Sequence, residues 1–147
     1  MAHVRQQLRE RMQSVIAAGA ASVAGRVYTN RVYSLSALKL PAITISFDSE
    51  SSSLITIATK TSDRVVSIMV DVYVSATDSI DDDIDDICIE IEEALGNDFA
   101  LNGLAKRCVL DGTDLQLAGD AEAPIGVARL RYSVQYVTSL TDVETAR

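Results

Sequence analysis

The 147-residue sequence contains no tryptophan, one histidine, two cysteines and two prolines. Two cysteines, Cys88 and Cys108, are too few for a disulfide framework, and one histidine, His3, does not complete a zinc site. No apolar run approaches the roughly 20 residues that span a bilayer, and the polar, Arg-rich N-terminus lacks the apolar segment of a secretion signal. We therefore expect a soluble intracellular protein with a single domain, residues 1–147.

Side chains that catalyse reactions are also scarce. His3 lies at the predicted start of a helix, Cys88 lies in an apolar stripe, and Cys108 opens a strand without a histidine to activate it. The serines at 51–53 lack the flanking glycines of a nucleophile elbow, and Asp111-Gly112 is typical of a hairpin turn rather than of a phosphate-binding loop. We predict that the protein is not an enzyme and binds no cofactor.

Charge is unevenly distributed along the chain, whose net charge is −8. Residues 1–40 contain six basic residues and one acidic residue (+5), and the remainder contains seven basic and 20 acidic residues (−13). A basic flank and an acidic flank suit head-to-tail self-association. Aromatic residues make up only 5% of the chain. A basic groove with stacking aromatics, as in proteins that grip nucleic acid, is therefore not expected.

Hydrophobic periodicity predicts two amphipathic helices. The first covers about residues 2–20, and the second covers residues 78–95, with Asp78 as its N-cap. Their apolar residues recur at spacings of three and four, which places them on one stripe of each helix. The stripes consist of Val4, Leu8, Met12, Val15 and Ile16 in the first helix, and of Ile80, Ile84, Ile87, Cys88, Ile91 and Leu95 in the second.

Four segments alternate as strands do: residues 42–47, 65–74, 108–117 and 125–137. The Ser- and Thr-rich residues 48–63 are predicted to form a long link, which either orders on contact with a partner or is a mobile surface hairpin. Within it, residues 54–57 could extend a hairpin or pair with another subunit. Residues 138–147 are predicted to be a flexible tail. The predicted fold is α+β, a small, mostly antiparallel four-stranded sheet with both amphipathic helices packed on one face.

Two charged features have more than one interpretation. The acidic run at residues 81–86 lies opposite the isoleucine stripe, so it is either a solvated face or a site for a hard cation, although it lacks the spacing of an EF-hand loop. Arg129 and Arg131 are two residues apart and project from one sheet face. They are either solvated or paired with carboxylates of a neighbouring copy, which makes this face a candidate oligomer surface.

Several motifs, in this order, resemble the tail terminator proteins of long-tailed bacteriophages. They are Gly-Arg-Val at 25–27, Leu-Pro-Ala-Ile-Thr-Ile at 40–45, Val-Tyr-Val-Ser-Ala at 72–76 leading into Asp-Ser-Ile-Asp at 78–81, and Ala-Arg-Leu-Arg-Tyr-Ser-Val-Gln-Tyr at 128–136. The resemblance extends over about residues 4–137. The central loop is richer in Ser and Thr than in that family, and the C-terminal tail is longer.

The resemblance implies a virion structural protein. Members of that family form a six-subunit ring that caps the tail tube, ends its polymerisation and offers its other face to head-completion or neck proteins. DNA passes through the ring without specific binding, no membrane is involved, and the ring lies at the head-proximal end of the tail after assembly in the host cytoplasm. A ring needs two different patches that meet on neighbouring copies. The candidate interface residues are Arg5, Arg9, Asp82, Asp86, Arg129 and Arg131.

Because acidic copies repel one another, ring formation is expected to depend on salt or on Mg²⁺. Asp78 and Asp81, at the helix opening that matches an acidic position of the family, are the candidate ligands. Two other functions remain open. One is a head–tail connector or neck protein of related fold, and the other is a small cytoplasmic binding domain that uses the acidic helix as its partner surface.

Overall fold

The structure is a computed structural model that describes residues 2–23, 25–29, 40–75, 80–119 and 124–147. Two helices and five strands make up most of it. In chain order they are α1 (Val4–Gly19), a 3₁₀ turn (Ala21–Val23), β1 (Val27–Thr29), β2 (Ala42–Thr56), β3 (Thr61–Ser75), α2 (Ile80–Gly96), β4 (Arg107–Gly119) and β5 (Pro124–Ser139).

The strands form one mixed five-stranded sheet in the order β1-β2-β3-β5-β4. Strand β1 runs parallel to β2, with Val27 opposite Ile43, and the other pairs are antiparallel. The predicted four-stranded, mostly antiparallel sheet is therefore wrong. Strand β1 was missed because a strand of three residues is too short to display alternation, and it is held by pairing with a segment 16 residues further along the chain.

Residues 48–63 form the outer part of a β2–β3 hairpin rather than a link between strands, so the interpretation as a surface hairpin extended by residues 54–57 is confirmed. Strand β2 continues to Thr56 and β3 begins at Thr61, with a register shift between Phe47 and Ser49. Strand β3 is also paired with β5 along its whole length. A central strand that is fixed on one side offers a template of backbone groups on the other, and threonine and isoleucine suit such pairing despite the many serines.

Helix α1 confirms the predicted stripe. Val4, Leu8, Met12 and Ile16 are fully buried, and Val15 is partly buried and packs against the same core. The helix begins at Val4 because the His3 side chain accepts a hydrogen bond from the Arg5 backbone N–H at 3.0 Å and so caps the first turn. Burial lowers the pKa of His3, and the nearby Arg5 guanidinium acts in the same direction. A neutral imidazole is the form that can accept this bond.

The hydrophobic core lies between the two helices and one face of the sheet. From the helices it contains the α1 stripe together with Ile84, Ile87, Cys88, Ile91 and Leu95 of α2. The sheet contributes alternate residues, Val66, Ile68, Val70, Val72 and Val74 from β3 and Ala128, Leu130, Tyr132, Val134 and Tyr136 from β5. Each large side chain buried here stabilises the fold by about 1.5–3 kcal/mol.

The Asp111-Gly112 pair does not form the predicted hairpin turn. It lies inside β4, at a register shift between Leu110 and Gly112. A Cβ atom on Gly112 would lie 2.7 Å from Nη2 of Arg131. The guanidinium of Arg131 from the neighbouring strand fills the space beside Gly112, and a larger residue there would have to displace the end of that flexible side chain.

The C-terminal residues beyond β5 run back past the start of α1. The Val143 carbonyl accepts a hydrogen bond from the Val4 N–H at 3.0 Å, and the Glu144 carbonyl accepts one from Nε2 of Gln7 at 2.7 Å. Thr138 and Ser139, which were predicted to belong to a flexible tail, are buried residues of β5. The tail therefore begins two residues later than predicted and contacts the first helix.

Candidate functional site

The acidic face of α2 is exposed along most of its length. Asp81, Asp82 and Asp86 are exposed side chains on the first two turns of the helix. Among the residues that the structure describes, no group of three or more His, Cys, Asp or Glu side chains could hold a metal ion. Asp78 lies outside the described residues, so the Mg²⁺ dependence of assembly stays a prediction.

The two cysteines are core residues and form no disulfide. Burial raises the pKa of the Cys88 thiol to about 11, and the nearby Glu92 and Asp85 carboxylates act in the same direction. Burial raises the pKa of the Cys108 thiol to about 12, with a smaller effect from Asp98. Both thiols therefore stay protonated at neutral pH, which is typical of structural rather than nucleophilic cysteines.

We expect both thiols to react slowly with a maleimide or disulfide reagent in the folded protein. Between pH 7 and 9 the Cys88 thiolate should be about a hundredfold rarer than that of an ordinary cysteine, because each unit by which a pKa rises lowers the thiolate fraction tenfold. Stopped-flow labelling in buffer and in denaturant checks this. Fast labelling of the native protein at pH 8 would contradict it.

The sheet face opposite the helices is joined by ion pairs within the chain. Arg129 donates to Asp71 through two bonds, Nε to Oδ1 at 2.8 Å and Nη2 to Oδ2 at 3.1 Å. The Asp71 side chain is only 6% exposed, whereas that of Arg129 is 52% exposed. The hydrogen bond to Asp71 raises the pKa of Arg129 further above its usual value. Arg131 pairs with Asp114 on β4.

These pairs change what the two arginines offer to a neighbouring copy. Both were predicted to be solvated or to pair with carboxylates of another subunit, and both instead have a carboxylate partner on an adjacent strand of their own sheet. Their place in an interface stays a prediction, but a contact between copies would have to compete with these bonds. The partner aspartates were not identified from sequence because strand register is set by tertiary pairing.

A second charged cluster lies where the β2–β3 hairpin passes the start of α1, and sequence reasoning missed it. Glu50 accepts hydrogen bonds from Nη1 of Arg5 at 3.1 Å, from Nη1 of Arg64 at 3.3 Å and from the hydroxyl of Tyr136. Its side chain is 8% exposed. The Arg5 guanidinium also lies 5.1 Å from the centre of the Phe47 ring, a cation–π distance. The predicted interface residue Arg5 is thus engaged within its own chain, and Arg9 is partly buried on α1.

The two most exposed of the large apolar side chains, Ile57 and Leu117, lie at opposite ends of the sheet. At one end, the hairpin tip (residues 54–60) carries Leu54, Ile55 and Ile57, and Ile57 is 83% exposed. At the other end, strand β4 carries Leu115 and Leu117, and Leu117 is 74% exposed. Residues 54–57 of the tip were singled out from sequence as able to extend a hairpin or to pair with another subunit. The two leucines were missed because their alternation resembles that of a buried strand face.

A groove lies beside Leu115, between β4 and the first turns of α2. Its volume is about 350 Å³. Ile84, Cys88, Ala128 and Leu115 form its apolar lining, and Asp81, Asp85 and Thr113 supply its polar atoms. Within the described ranges no strand pairs with the outer edge of β4, so that edge presents unpaired backbone groups. We name this region, with Leu117, the β4–α2 groove.

Comparisons with known proteins show a distant structural likeness to a virion particle. The sequence matches no protein-family model and no curated protein. A solved chain in the structure titled "Virion of native gene transfer agent (GTA) particle" overlaps 90% of this chain and 90% of its own length, with 16% identity and a TM-score of 0.36. A TM-score this low does not assign a shared fold, so function is inferred from the residues of this chain. No helix in the described part of the chain is long and apolar enough to cross a membrane.

Proposed function

We propose that this protein is a virion structural protein that forms a ring on the end of a phage tail tube. The ring ends polymerisation of the tube and presents its other face to head-completion or neck proteins, while DNA passes through its centre. The role is structural rather than enzymatic. The order of motifs from Gly25-Arg-Val to the last strand resembles that of tail terminators and supports this function. The same resemblance implies that the tube protein is the partner.

The observation that carries the proposal is the position of the two exposed apolar regions. The hairpin tip and the β4–α2 groove have different residues and lie at opposite ends of one sheet. Ile57 and Leu117 leave most of their surface in water in the isolated chain. Contacts between two unlike patches are heterologous, and repeated heterologous contacts close into a ring when the rotation between copies is suitable.

Electrostatics support assembly through these patches more than through the predicted charged flanks. Arg5, Arg129 and Arg131 are each paired with a carboxylate of their own chain. The acidic face of α2 remains exposed, and the chain has a net charge of −8. A ring with an acidic surface would let DNA pass without tight phosphate contacts, since like charges repel.

Addition of the protein to polymerising tail-tube protein tests capping directly. We expect a stoichiometric amount to stop elongation, so that electron micrographs show shorter tubes with a narrower length distribution and an added layer at one end. Light scattering in the presence and absence of Mg²⁺ should show a particle near six times 15.8 kDa. The matched control is the Ile57→Glu variant, which places a charge on the apolar tip.

Three outcomes separate the alternatives. Tubes of unchanged length together with binding to a head-completion protein would support a neck protein instead. Unchanged tubes and a strict monomer at high concentration under both conditions would contradict any ring-forming role and favour a small binding domain. Shortened tubes with wild-type protein, but not with Ile57→Glu, would support the terminator function.

A further inference from the structure

The hairpin tip combines exposed apolar side chains with a backbone that is held in place, as a docking segment does. Leu54, Ile55 and Ile57 expose 51%, 52% and 83% of their surface. The tip also carries Lys60, an exposed cation that forms no ion pair with a described residue. Its backbone is fixed, because the Lys60 carbonyl accepts a hydrogen bond from the Leu140 N–H at 2.8 Å and the Thr59 and Thr61 hydroxyls bond at 2.7 Å. A segment already held in place loses little conformational entropy on binding.

The β4–α2 groove has the complementary chemistry. Its floor is apolar, and Leu115 and Leu117 extend that apolar surface along the open strand edge. Two carboxylates, Asp81 and Asp85, lie at its rim, and neither forms an ion pair with a described residue. An occupant that combines branched apolar side chains with a lysine would therefore match both the floor and the rim.

We infer that the hairpin tip of one copy occupies the β4–α2 groove of the next copy, so that a second copy of this chain is the partner of each surface. The tip is where β2 ends and the groove is where α2 begins, at opposite ends of the sheet, so the contact is head to tail. The pairs β2–β3, β3–β5 and β5–β4 are all antiparallel. Because three such pairs separate them, β2 and β4 run in opposite directions. In a head-to-tail contact the tip can then add to the open β4 edge as an antiparallel strand. This inference rests on the proposed ring and names its interface.

Cross-linking tests the contact in the full-length protein. The variant Ile57→Cys/Leu117→Cys is treated with a short bis-maleimide under conditions in which light scattering shows the ring. We expect a denaturing gel to show a ladder of covalent multimers up to the ring size. Each single variant should remain monomeric on the gel, because a heterologous contact does not bring position 57 near another position 57 and the buried Cys88 thiol of the groove reacts slowly.

The matched control is Ile57→Cys/Ile89→Cys. Ile89 is 53% exposed on α2 but does not line the groove. Wild-type protein, which retains Cys88 and Cys108, controls for the native thiols. No ladder is expected from either protein. A ring that forms without an Ile57→Cys/Leu117→Cys ladder, or an equal ladder from the control, would overturn the inference and leave the ring intact as a proposal.

A charge exchange provides a second, independent readout. Lys60→Glu should weaken assembly several-fold, because it places a carboxylate opposite Asp81 and Asp85. Adding Asp81→Lys and Asp85→Lys to the same chain should restore assembly. Ile57→Glu should weaken it by roughly ten- to a hundredfold, since the burial of one isoleucine is lost. Restoration by the exchange supports the contact, and no change with Lys60→Glu and Ile57→Glu contradicts it.

The outcomes also separate this inference from the proposed function. A cross-linked ring that leaves tube length unchanged would support the interface and contradict the capping function. Capping by a ring that shows no cross-link between positions 57 and 117 would support the function and contradict the interface. A strict monomer under every condition would contradict both.

Discussion

Replacement of Glu50 by alanine is expected to lower the free energy of unfolding by about 3–5 kcal/mol. The Glu50 side chain is only 8% exposed, and its carboxylate accepts hydrogen bonds from Arg5, Arg64 and Tyr136. Alanine would leave the fully buried Tyr136 hydroxyl and the largely buried Arg64 guanidinium without their acceptor. A buried polar group left without a partner costs more than the bond itself contributes.

Urea denaturation followed by circular dichroism measures this effect. Glu50→Gln should lose less stability than Glu50→Ala, because the amide oxygen can still accept one of the bonds although the charge is lost. The matched control is Glu93→Ala, which removes an exposed carboxylate from α2 and should change the free energy of unfolding by at most about 0.5 kcal/mol. Equal effects of Glu50→Ala and Glu93→Ala would show that the cluster contributes nothing to stability.

The Glu50→Ala substitution should also loosen the outer part of the β2–β3 hairpin. Glu50 connects β2 to α1 through Arg5 and to β5 through Tyr136, just before the part of the hairpin that reaches the tip. Loss of these bonds frees the distal hairpin from the rest of the sheet. Hydrogen exchange of the tip amides in Glu50→Ala should therefore accelerate more than exchange in the centre of β3.

Replacement of Gly19 by alanine is expected to destabilise the protein by about 1–3 kcal/mol. A Cβ atom on Gly19 would lie 2.7 Å from the Cβ of Ala94, so α1 and α2 would have to move apart. Helix propensity alone predicts the opposite sign, since alanine is favoured over glycine by roughly 1 kcal/mol within a helix. The steric effect is expected to exceed it, because a helix backbone and a Cβ atom cannot rotate away from the contact.

A double-mutant cycle isolates this contact. Ala94→Gly restores the space, so Gly19→Ala/Ala94→Gly should be more stable than the sum of the two single effects predicts, with a coupling of about 0.5–3 kcal/mol. Gly96→Ala is the matched control, because a Cβ atom there would meet nothing within 4 Å. It should be neutral or stabilising in the same thermal or urea unfolding measurement. Strict additivity of the two single substitutions would refute close packing between Gly19 and Ala94.

The two helices and most of the strands are predictable from the sequence, because their signals are local. The α1 stripe of Val4, Leu8, Met12 and Ile16 repeats within a few turns, and every one of these residues is buried. The α2 stripe from Ile84 to Leu95 is buried in the same way. Strands β3 and β5 were identified by their period of two, and both begin or end within four residues of the predicted bounds.

The pairing of the strands depends on long-range contacts, and the number of strands and the charged contacts depend on that pairing. The Glu50–Tyr136 bond joins residues 86 apart in the chain, and the Arg129–Asp71 pair joins residues 58 apart. Strand β1 and the distal half of the hairpin have little apolar alternation of their own and are ordered by pairing with neighbours. Backbone hydrogen bonds between strands need a partner from elsewhere in the chain, so no local pattern specifies them.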